Sequence, residues 1–164
     1  QINEPVESET ANQLLIMNKP HQRRGSVSNA HVGADFERMA HRYYLGLGIP
    51  MTRNYSMTIG LHDKKPHRFD LGCQSPRIIV ECKSHKWTAG DKVPSAKMTV
   101  WNEAMYYFYL APANYRKIMF VLRDHRKSTN ESLLEYYKRR YPHMIPKGVE
   151  FVEFDDVSQK VLAQ

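Results

Sequence analysis

Three residues of this chain combine types and spacing that suggest chemistry: Asp70, Glu81 and Lys83. Asp70 lies in a strand-like stretch, HRFDLGC (67–73), and Glu81-Cys82-Lys83 closes the apolar run RIIV (77–80). Only Gln74, Ser75 and Pro76 separate the two stretches, so they read as the arms of a hairpin. A loop running from Gln74 to Arg77 sets Asp70 directly opposite Glu81, because both lie equally far from its centre. Opposed side chains have Cβ atoms roughly 4.5–5.5 Å apart, and like charges there destabilise a sheet. At about 4 Å and an effective dielectric near 20 the repulsion is on the order of 4 kcal/mol, a large part of a domain's stability. A bound divalent cation removes that penalty. Alternation places Lys83 on the face of Glu81 and turns Ile78, Val80 and Cys82 the other way.

Carboxylate oxygens select Mg²⁺, with Mn²⁺ able to substitute, over zinc, which prefers His or Cys. Such an ion polarises a phosphoryl oxygen, acidifies a bound water and can work with a second ion in an in-line displacement. An ordinary lysine near pKa 10.4 is protonated at pH 7, and lowering it by about 3 units takes roughly 4 kcal/mol. Orienting the attacking water and stabilising charge on phosphorus is therefore the readier role for Lys83.

These residues resemble the hallmark of the PD-(D/E)xK nuclease superfamily, which includes restriction endonucleases, junction resolvases and RecB-type nucleases. The pattern is an acid ending one strand, then, after a hairpin, an acid, any residue and a lysine; here these are Asp70 and Glu81-Cys82-Lys83. The sequence departs from the family at Phe69, where a proline commonly precedes the first acid. The resemblance implies a restriction endonuclease-like core, αβββαβ, over residues 31–123. It implies metal ligation by Asp70, Glu81 and the Cys82 backbone carbonyl, with Glu37 as a further acid from the first helix. In RecB-type members a Gln-x-x-x-Tyr follows on the next helix, and Asn102 to Tyr106 is an imperfect echo of it. Implied activity is that of a Mg²⁺-dependent DNA endonuclease, restriction-type first and a repair or recombination nuclease second. A DNA-binding module of the same fold without catalysis is the competing reading from another class.

The elements that must position these residues follow from periodicity. Residues 1–30 read as a flexible arm, acidic and then basic, and Ser28 or Asn29 can cap a helix over about 31–47. Phe36, Ala40, Tyr43 and Leu47 lie on one face of that helix, and Gly46 and Gly48 stop it. Residues 51–61, 67–73 and 77–83 read as strands, with the last one central. Ser95 is a candidate N-cap for a helix to about 110 that carries Met98, Trp101, Met105 and Phe108. A strand at 118–122, a helix at 131–141 and a strand at 149–154 complete the order αβββαβαβ. This order predicts one α/β domain over 31–164, a mixed central sheet flanked by helices, with an extra αβ unit at the C-terminus.

The chain has 24 Lys plus Arg against 17 Asp plus Glu, a net charge of +7, which suits a polyanionic partner. Lys86, Trp87, Lys92 and Lys97 beside the motif, and Arg123, Arg126 and Lys127 after a strand, are the candidate DNA contacts, supplying sequence-independent attraction. RNA stays open as a partner. A chain of 164 residues with one small domain would have to act as a homodimer to cut both strands. Cys73 and Cys82 lack zinc or disulfide spacing and stand about 13 Å apart along the hairpin, so they read as plain thiols of a reducing cytoplasm. Leu14 to Met17 is too short a run for a signal sequence or a span. His62-Asp63 sits in a Lys/Pro turn and reads as a turn rather than a metal pair.

Overall fold

A computed structural model describes residues 29–163. The expected arm, but for its last two residues, lies outside these, together with the Ser28 cap and the Leu14–Met17 run. Helix α1 (Asn29–Gly46) leads into strands β1 (Thr52–Ile59), β2 (Lys65–Gln74) and β3 (Arg77–Lys83). Helix α2 (Ser95–Leu110), strand β4 (Arg116–Leu122), helix α3 (Leu133–Arg140) and strands β5 (Val149–Asp155) and β6 (Lys160–Ala163) follow. The six strands form one mixed sheet in sequential order. β1, β2 and β3 are antiparallel, β3, β4 and β5 parallel, and β6 antiparallel to β5.

Strands β3, β4 and β5 advance across the sheet in one direction, and right-handed crossovers therefore place both connecting helices on the same face. On that face Met98, Trp101 and Phe108 of α2 and Leu133, Leu134 and Tyr137 of α3 pack with Ile79, Met119, Val121 and Phe151. Helix α1 covers the other face, where Phe36, Ala40 and Tyr44 meet Leu71, Val80, Phe120 and Phe154. The expected stripe on α1 is corrected at its end. Leu47 lies beyond the helix and is 57% exposed, while Tyr44 is buried in its place. The helix ends at Gly46, and the chain turns at Gly48, whose φ of 75° favours glycine.

Ser95 opens α2 instead of capping it; the cap position belongs to Pro94, whose ring fixes φ and leaves no side-chain cap. Helix α3 begins two residues later than expected, because Ser132 and Glu135 close a capping box. Strand β6, only four residues long after the turn at Asp155 to Gln159, adds an edge strand beyond the αβββαβαβ order. Among the described residues no helix is long and apolar enough to cross a membrane.

Candidate active site

The β2–β3 hairpin turns on Ser75 and Pro76, and its register runs from Gln74↔Arg77 to Leu71↔Val80. One more step would pair Asp70 with Glu81, as expected, but the ladder stops there and the strands part. Instead of a backbone carbonyl, the Asp70 carboxylate takes the N–H of Cys82, with Oδ2 at 2.6 Å. The cause is a break in alternation. Phe69 packs under α2 whereas Leu71 packs under α1, although two residues apart on a regular strand share a face. Strand β1 breaks at the facing position: Arg53↔Leu71 and Tyr55↔Phe69 pair, while Asn54 between them is left-handed with φ 52°. Asparagine is among the few side chains that accept this conformation readily. The paired kinks turn Asp70 out of the ladder and toward the end of β3.

Glu81 and Lys83 alternate regularly on the α2 side of β3 and are 6% and 9% exposed. Lys83 Nζ donates to Glu81 Oε2 at 2.6 Å, and His67 Nε2 stands 3.5 Å from Oε1. Burial and then the charge of Glu81 push the Asp70 carboxyl up to about 6. Burial works against the charge of Glu81 as well, but the facing His67 and Lys83 hold its carboxyl below the usual range. Burial likewise opposes the Lys83 ammonium, and the Glu81 and Asp70 charges overcome it, so its pKa is raised. Lys83 is thus held as an ammonium that donates to Glu81.

Two recesses flank this group and share Asp70, Lys83 and Val100. The larger, about 750 Å³, lies between the N-terminal halves of α1 and α2 and takes in Glu37, His85, Lys86 and Lys97. The smaller, about 250 Å³, lies between β2 and α2 and holds Glu81, His67, Arg68, Glu103 and Tyr107. Glu37 faces the larger recess with Arg53 at 3.7 Å, and its charge adds to the rise at Asp70. In the same recess Trp101 Nε1 donates to His85 Nδ1 at 2.8 Å. Burial and the nearby Lys97 and Lys83 lower the His85 pKa to about 4. His85 is therefore neutral at pH 7 with its proton on Nε2.

The expected DNA contacts divide. Lys86 and Lys97 line the larger recess. Arg123 lines a separate hollow with Lys86 and donates to His125 Nε2 at 3.2 Å. Trp87 is 8% exposed and packs into the core with the Arg126 guanidinium 4.0 Å over its ring, so this pair joins two loops. Lys92 and Lys127 are exposed on those loops, where Asp91 accepts the Lys127 and Ser128 N–H groups. The suggested Asn102 and Tyr106 pair points away from the site: Asn102 Oδ1 accepts from Tyr137, and Tyr106 borders a hollow near Met144. Its neighbours, Glu103 and Tyr107, face the site instead. These two escape a reading of the motif because they approach it from α2, whereas His67 on β2 and His85 just after β3 stand within a few residues of it but carry no spacing that marks them. Both cysteines are free, and burial drives the Cys82 thiol well above its ordinary pKa.

Among the described residues no group of three or more His, Cys, Asp or Glu side chains is gathered to hold a metal ion. Set against known proteins, the chain matches no family model, no curated protein and no solved structure.

Proposed function

We propose that this protein is a Mg²⁺-dependent nuclease of the PD-(D/E)xK kind, with a restriction endonuclease-like core, that hydrolyses phosphodiester bonds in DNA. The observation that carries the reading is the parting of β2 and β3 at Asp70. It sets a carboxylate that resists ionisation beside the buried Glu81–Lys83 pair at the floor of a basic cleft.

The donors fit magnesium. Asp70 and Glu81 supply hard oxygens, the Cys82 carbonyl directly follows Glu81 in sequence, and Mg²⁺ commonly needs one or two carboxylates, with water and substrate oxygens completing its shell. Bound there, Mg²⁺, or Mn²⁺ in its place, would supply Lewis acidity toward a phosphoryl oxygen and the attacking water. The chain's own residues do the rest. Asp70 and Glu81 bind and orient, with Glu37 adding negative charge from α1. Lys83 keeps its proton, donates a hydrogen bond to the water or the phosphoryl oxygen and balances charge that develops on phosphorus. Lys86 and Lys97 attract the backbone. A restriction-type endonuclease, cutting both strands as a homodimer in the cytoplasm, and a repair or recombination nuclease would share this chemistry.

Supercoiled, linear and heat-denatured DNA incubated with Mg²⁺, Mn²⁺, Ca²⁺ or EDTA tests the proposal. Cleavage is expected with Mg²⁺ or Mn²⁺ only, and Asp70→Ala or Glu81→Gln removes it by at least about 10³-fold. A protein that binds DNA but cuts none of these forms with either metal, and behaves identically as Asp70→Ala, is a binding module and not a nuclease.

A further inference from the structure

We infer that the site accepts unpaired, single-stranded DNA and holds one base beside the scissile phosphate in the recess formed by His67, Glu103 and Tyr107. This rests on the nuclease reading for the phosphate's position. Glu81 and Lys83 are 6% and 9% exposed, and Asp70 and Lys83 line both recesses. A strand whose phosphate sits at these two residues has one recess on either side of it.

The recesses differ in chemistry. The larger one carries Lys86 and Lys97 and suits phosphates. In the smaller one Glu103 opposes a phosphate but accepts hydrogen bonds from amino groups, and it already accepts from Tyr107 at 3.3 Å. There the His67 and Tyr107 rings stack 3.7 Å apart, an aromatic surface of the kind on which unpaired bases pack, with the Arg68 cation on the same wall. His67 is fixed in this place by Glu81, whose Oε1 lies 3.5 Å from its Nε2. At about 250 Å³ the recess is smaller than the pocket of a drug-sized ligand and holds about one base. A duplex turns its bases inward and must be unpaired to fill this recess, a cost that a single strand does not bear. The geometry thus favours the repair or recombination class of substrate, an overhang or flap, over restriction-type cutting of intact duplex.

The test uses one sequence as a labelled single strand, a blunt duplex and a duplex with an unpaired overhang. Cleavage is followed with Mg²⁺ or Mn²⁺, and binding by fluorescence anisotropy with Ca²⁺. The single strand and the overhang are expected to be cut at least about tenfold faster than the blunt duplex, with cuts confined to unpaired nucleotides. Tyr107→Leu is expected to weaken single-strand binding by about tenfold while leaving duplex binding unchanged, and Tyr107→Phe to retain it. Arg68→Ala, at an exposed position, weakens single-strand binding even if Tyr107→Leu fails to fold. Equal or faster cutting of the blunt duplex, or single-strand affinity unmoved by both Tyr107→Leu and Arg68→Ala, overturns the inference. If no DNA is cut, the nuclease reading falls separately, and the anisotropy still decides whether an unpaired base is held here.

Discussion

Asp70 at the end of the β2–β3 hairpin and Asp124 after β4 make the same hydrogen bond in different surroundings. Asp70 accepts the Cys82 N–H at 2.6 Å, and Asp124 accepts the Trp87 N–H at 2.7 Å. Around Asp124 the contacts reinforce one another: Arg126 covers the Trp87 ring, and nearby Asp91, held below the usual carboxyl range by its bonds from Ser128 and Lys127, ties the two loops together. Around Asp70 they conflict, because burial and Glu81 both resist its charge. One aspartate serves the fold, whereas the other is held against burial and the Glu81 charge, which Lys83 and the Cys82 N–H offset in part and the proposed cation would offset further.

Lys83→Ala is expected to lower the cleavage rate by about 10²–10³-fold, because a fixed donor to the reacting phosphate is lost. Its metal affinity, read by calorimetry, should stay the same or tighten, since the ammonium no longer competes for Glu81. Loss of metal binding together with activity would make Lys83 a structural support only. Asp124→Ala should do the opposite: unfolding measured by urea should show a loss of about 1–3 kcal/mol from the unpaired, buried Trp87 N–H, with Mg²⁺ affinity unchanged. Asn54→Val forces a β-branched side chain into a left-handed position and should cost about 1–3 kcal/mol. Because this kink turns Asp70 out of the ladder, Asn54→Val should also weaken Mg²⁺ binding, and Asn54→Gly should not. The smallest effect belongs to the cleft lysines. Lys86→Ala or Lys97→Ala should each lower the salt slope of DNA binding by about 1.

Much of this was legible in the sequence. Strand β3 has the bounds that its apolar run suggested, and the hairpin register follows from the short, polar connection. What alternation alone could not show is the break at Asp70, because it depends on Asn54 in another strand. The phase of α2 was equally hidden. That helix has apolar side chains most of the way round, so periodicity does not choose between Asn102 with Tyr106 and Glu103 with Tyr107 as the pair facing the site. For Trp87 the basic loop leaves a DNA contact and a place in the core equally open, and α3 decides for the core by supplying Tyr136, its edge-on neighbour.

Thermal unfolding of the wild type and Asp70→Asn, with and without Mg²⁺ and across pH, tests the central claim most directly. In the folded protein the Asp70 carboxyl titrates near 6, above its ordinary value of 3.8, so the fold binds its proton more tightly than the unfolded chain does. Asp70's contribution to stability is therefore lost as pH rises from about 4 to 6, by up to about 3 kcal/mol, and stays lost above that. Asparagine has no charge to develop. Without metal, Asp70→Asn is predicted to melt a few degrees above the wild type at pH 8, with the gap closing as pH falls toward 4. Mg²⁺ is predicted to raise the wild-type melting temperature at pH 8 and leave the variant unmoved. A variant less stable than the wild type at pH 8, together with a wild type indifferent to Mg²⁺ and Mn²⁺, would contradict the claim that Asp70 and Glu81 form a cation site.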